Sequence, residues 1–125
     1  MNALNWFEIP ARDIARAQTF YEQLLGAALR REDMGPERAL AVFPYTEPGV
    51  GGCLMSGPGL APAGAGGSGA LIYLAASPTL DAVLARLPAC GGRLVTPKVT
   101  LPDGMGVFAH VEDSEGNVVG LHAQT

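Results

Sequence analysis

The sequence predicts an α+β fold, two tandem βαβββ modules forming a curved mixed sheet around a central cleft. A strand, a helix and a further strand at Leu4–Ile9, Ile14–Leu25 and Ala27–Arg31 recur at Leu71–Ala76, Leu80–Leu87 and Arg93–Thr96. The offset of about 65 residues marks an internal repeat. Each half then adds two more apolar runs, and two like modules packed together leave a cleft between them. A chain of 125 residues supports one core but not two independent ones. One domain is therefore expected, with modules over about 1–56 and 70–125 and a linker at 57–69.

The elements follow in order. Leu4–Ile9 is rich in aromatic and branched residues and stops at Pro10, as a strand should. Asp13 is placed to cap the next helix, whose stripe of Ile14, Ala17, Tyr21, Leu24 and Leu25 falls on one helical face, and Gly26 ends it. Residues 27–33, 38–44 and 49–56 read as strands. The second module opens with the strand 70–76. Ser77 then reads as a helix cap with Pro78 at the first helical position. Leu80, Val83, Leu84 and Leu87 form the apolar face, Pro88 predicts an early stop or a kink, and Gly91-Gly92 closes the helix. Strands are expected near 93–99, 105–112 and 117–123, the last two joined by the turn Asp113-Ser114-Glu115-Gly116-Asn117.

Composition excludes several functions. Hydrophobic residues make up 48% and charged residues 16%, which is a globular chain. A net charge of −4 without a Lys/Arg cluster argues against nucleic acid and anionic membranes. No apolar run approaches the ~20 residues needed to span a bilayer, and the N-terminus does not read as a signal peptide. Cys53 and Cys90 sit in different halves without a C-x-x-C pair, which fits buried thiols in a reducing cytoplasm. The glycine-rich 57–69 segment lacks the ending of a phosphate-binding loop.

Phe20-Tyr21-x-x-Leu24-Leu25-Gly26 after the first strand, and Asp113-x-Glu115-Gly116-Asn117 before the last, resemble the vicinal oxygen chelate superfamily over the whole chain. This is the group of glyoxalases, bleomycin-resistance proteins and extradiol dioxygenases. The resemblance implies four inward-facing metal-ligand positions, usually His or Glu, on the first and last strands of each module. They map to Trp6, a residue within Gly52-Cys53-Leu54, Leu71 (with a one-residue ambiguity) and Gly120. None is His, Asp or Glu, and Cys53 alone does not hold a divalent cation. The expectation is therefore no metal and no cofactor.

Residues two apart on a strand share a face. With Trp6 inward, Leu4 and Glu8 follow, and Phe7 and Ile9 pack on the helices. With Gly120 inward, Val118 and His122 follow; with Leu71, Tyr73 and Ala75 do. The family pattern adds Phe108 and His110. The expected cleft is thus an apolar and aromatic bowl that holds a small molecule, with Trp6, Tyr73, Phe108 and His110 as ligand contacts. Glu8 and His122 are the candidate acid–base groups for a metal-independent enzyme, and Glu8, His110 and His122 match a two-His, one-carboxylate set for a relocated metal. Each also has a structural reading: Glu8 solvated or paired with Arg12, His110 hydrogen-bonded in the core, His122 exposed, Tyr73 packed. Arg12, Arg16, Arg30, Arg31 and Arg38 read as charged surface. A small-molecule ligand and a homodimer are the expected partners.

Overall fold

The computed structural model describes residues 2–60 and 70–125; the rest of the linker, 61–69, lies outside the described residues. The elements are β1 (Trp6–Pro10), α1 (Ile14–Leu25), β2 (Arg30–Asp33), β3 (Ala39–Val42), β4 (Gly51–Ser56), β5 (Tyr73–Ala75), α2 (Leu80–Cys90), β6 (Arg93–Thr100), β7 (Val107–Glu112) and β8 (Val118–Ala123). The βαβββ order occurs twice. The strands divide into two four-stranded mixed sheets of one topology, β1-β4-β3-β2 and β5-β8-β7-β6. In each, the first strand runs parallel to the last, and the other neighbours are antiparallel.

α1 begins where Asp13, in extended conformation, accepts the backbone N–H of Arg16 at 3.0 Å. It ends at Gly26, whose φ of 70° is cheap only for glycine. α2 departs from expectation at its start, and ends where Gly91 was expected to close it. Its cap is Thr79, not Ser77: Thr79 is extended and its hydroxyl accepts the Ala82 N–H at 3.1 Å. Pro88 does not stop the helix, which continues to Cys90. A proline so near the end removes one helical donor, and the Gly91 N–H closes the last turn onto Leu87 and Pro88.

Strand alternation sorts the side chains. On β1, Ile9 is buried and Phe7 packs beside it on the helix side, whereas Trp6 and Glu8 are exposed on the opposite face. Helix-side residues of both sheets, such as Ile9 and Leu54 in one and Leu74, Ala109 and Leu121 in the other, join the buried faces of α1 and α2 in a single core. The helix-free faces point away from it. On the first sheet that face carries a smaller cluster of Leu40, Val42 and Cys53, with Met55 packed against it.

A polar clasp ties the second module to the start of α1. The Tyr21 hydroxyl donates to Asp113 at 2.6 Å, and Asp113 also accepts the N–H groups of Glu115 and Asn117 at 2.8 and 2.9 Å. The Asn117 amide donates to the Pro10 carbonyl at 2.8 Å. Glu115 accepts the N–H groups of Arg12 and Asp13, each at 2.9 Å, and pairs with the Arg16 guanidinium at 2.6 Å. The two sequence motifs are therefore halves of one contact, and Arg16, read above as plain surface charge, belongs to it. Burial alone would raise the Glu115 carboxyl. The Arg16 guanidinium, the Asp13 N–H, the Ser114 hydroxyl and the Arg12 N–H outweigh burial and lower it to about 2.

Candidate functional site

The repeat shows itself most clearly in the parallel ladders. Trp6 pairs with Gly51 between β1 and β4 as Tyr73 pairs with Gly120 between β5 and β8. With Trp6 and Gly120 as two of the four mapped positions, the ladders give Gly51 and Tyr73 as the other two. The assignment to 52–54 thus moves to Gly51, and that to Leu71 moves to Tyr73, because Leu71 lies two residues ahead of the strand. Each module consequently has an aromatic residue opposite a glycine. A Cβ on Gly120 would stand 2.2 Å from Tyr73 Cδ1, so the tyrosine ring lies directly over the bare backbone. Gly51 does the same for Tyr45, where a Cβ would stand 2.6 Å from Cδ1. Trp6, Gly51, Tyr73 and Gly120 carry no carboxylate, imidazole or thiolate, so the family's metal does not fit them. Among the described residues no three His, Cys, Asp or Glu side chains converge.

On the helix-free face of the second sheet, Tyr73, Phe108 and His110 form an aromatic group with ring centroids 5.2–6.0 Å apart. The Tyr73 hydroxyl is 2.7 Å from His110 Nε2, and His110 Nδ1 is 2.9 Å from the Thr96 hydroxyl. His122, beside Phe108 in the ladder, donates from Nε2 to the Met105 carbonyl at 2.7 Å. On the first sheet, Trp6 meets Tyr45 edge-on at 5.9 Å. Glu8 lies across the ladder from Cys53, with its carboxylate 4.0 Å from the buried thiol. Burial, and then the Glu8 charge, push that thiol up to about 11. Cys53 should therefore resist a disulfide-forming thiol reagent at mildly alkaline pH until the chain unfolds, which timed labelling with and without denaturant measures.

Glu8 and His122, expected to share one cleft, stand on different sheets and share no hydrogen bond or ion pair. The same separation divides Glu8 from His110. Alternation fixes which face of a strand a residue occupies; it does not fix which faces of two sheets meet, and here the helix-side faces meet. The Arg12 side chain does not hold Glu8 either: Arg12 meets the clasp through its backbone.

The space between the modules is a groove of about 670 Å³. Its walls include Phe7, Leu25, Leu29 and Phe43 from the first module and the run from Ala70 to Ala75 from the second. Tyr73 alone of the expected contacts lines it. Trp6 lies next door, in a recess that shares Leu4, Val50 and Gly51 with the groove. Thr96 and Tyr45 were absent from the sequence-based set. Register shifts between Leu94 and Val99 break the alternation that would have placed Thr96, and Tyr45 follows β3 in a loop where period two does not apply.

Two βαβββ modules with parallel first and last strands define the glyoxalase-like class of fold. The model of the Glyoxalase/Bleomycin resistance protein/Dioxygenase superfamily matches residues 3–121, and the chain belongs to that superfamily. Among solved structures it is similar to a glyoxalase/bleomycin resistance protein from Streptomyces sp. CB03234, at 26% identity and TM-score 0.67, with 97% of this chain and 100% of that one covered. It is similar in fold to the fosfomycin resistance protein FosX from Listeria monocytogenes, at 18% identity and TM-score 0.67, covering 100% and 93%. A glyoxalase I mutant from Zea mays gives 21% identity and TM-score 0.70 over 96% of this chain, which spans only 45% of that one. No curated protein matches the chain.

Proposed function

We propose that the protein binds a small apolar or aromatic molecule in the groove between its modules, without a metal. The observation that carries this reading is the groove itself: about 670 Å³, walled by aliphatic and aromatic side chains, within the ~300–1,000 Å³ usual for small-molecule sites. The donor set at the four mapped positions supports the metal-free part, because aromatic rings and bare backbone replace ligands there. Exposed Leu94, Val95 and Val99 on β6, with Met34 and Met105, supply apolar surface for a homodimer, which light scattering at micromolar concentration would test.

Trp6 is the only tryptophan, and its recess shares a wall with the groove. Titration with a bicyclic hydrocarbon such as indane, which absorbs little where tryptophan is excited, should shift its emission saturably. Leu71→Ala should weaken that binding several-fold, about 1 kcal/mol, while leaving stability nearly unchanged, since Leu71 is exposed. A linear, non-saturating response would contradict the proposal.

A further inference from the structure

We infer that Tyr73, His110 and Thr96 form a hydrogen-bonding subsite for an oxygen atom of the ligand, so that preferred ligands are flat aromatic molecules bearing a hydroxyl or a carbonyl. This rests on the binding reading above and adds a chemical class to it. Tyr73 lines the groove and is half exposed. Its hydroxyl makes one hydrogen bond among the described residues, to His110 Nε2 at 2.7 Å. His110 in turn has its other nitrogen 2.9 Å from the Thr96 hydroxyl. The imidazole is thus satisfied at both nitrogens, while the phenol keeps one valence unused.

The chain of bonds runs in either direction. When the Thr96 hydroxyl donates to Nδ1, the His110 Nε2–H donates to the tyrosine oxygen and the phenol proton is left for an acceptor such as a carbonyl. When Tyr73 donates to Nε2, Nδ1–H donates to Thr96 and the phenol oxygen is left to accept from a hydroxyl. The first arrangement uses all three donors and the second leaves the Thr96 hydroxyl proton to solvent; in each, one bond polarises the next. The ring position is fixed as well, because Gly120 provides the bare backbone on which Tyr73 lies and Phe108 flanks it at 6.0 Å. The phenol thus keeps bonding capacity on a half-exposed residue that lines the groove.

The test compares two probes of one shape, 2-naphthol and 2-methylnaphthalene, by titration calorimetry on wild type, Tyr73→Phe and Thr96→Val. Transfer from water favours the methyl compound, so a preference for naphthol needs a polar partner in the site. Wild type should bind naphthol about tenfold more tightly, the scale of one good hydrogen bond. Tyr73→Phe should erase that preference and leave methylnaphthalene binding as it was. Thr96→Val should reduce the preference, and naphthol should move the His110 ring ¹⁵N resonances of wild type but not those of Tyr73→Phe. Equal binding of both probes by wild type, or a preference that survives Tyr73→Phe, would overturn the inference while the groove reading stands. Binding of neither probe would overturn both.

Discussion

Replacing Glu115 with alanine is expected to lower the melting temperature by on the order of 10 °C, a loss of about 3 kcal/mol. Its carboxylate is almost wholly buried and accepts two backbone N–H groups at the start of α1 as well as the Arg16 guanidinium. Alanine leaves those donors without their partner at the joint between the modules. The same clasp sets a pH dependence. The folded carboxyl is held at about 2, below its ordinary 4.5, so the unfolded chain takes up the proton first. The stabilisation is complete above the ordinary value and is lost as pH falls from there through about 2. Thermal melts across that window should show the wild type losing stability more steeply than Glu115→Ala; parallel curves would count against this role.

Gly120→Ala should abolish most ligand binding with a small effect on folding. The new Cβ would stand 2.2 and 2.4 Å from two carbons of the Tyr73 ring, so the ring must move. It is half exposed and free to swing into solvent, which spares the core but breaks the bond to His110 and removes one wall of the groove. A loss of affinity of about tenfold or more is expected, with a melting temperature near that of wild type. A variant that binds as wild type does would mean that Tyr73 is not part of the site.

Much of this architecture was legible in the sequence because it is local or repeated. The α1 stripe, its Asp13 cap and Gly26 stop, and the second βαβββ copy follow from spacing and turn chemistry. The faces of β1 followed too: Ile9 and Phe7 turned to the helices, Trp6 and Glu8 away. What stayed hidden depends on distant packing. Sequence spacing does not say that Glu8 and His122 stand on two separate sheets. It does not reveal that Glu115 grips the backbone of Arg12 and Asp13, since those bonds join residues about a hundred positions apart. The register irregularity in β6 likewise concealed Thr96, and the groove residue Phe7 read simply as packing on the helices.

The central claim is a ligand groove that works without metal. It is tested most directly by titrating the wild-type protein with indane, followed through Trp6 emission, in the presence and absence of excess chelator. The account predicts the same saturable isotherm in both, because Trp6, Gly51, Tyr73 and Gly120 offer no metal-ligand set. Binding that disappears with chelator and returns on adding zinc, manganese or ferrous iron would contradict it.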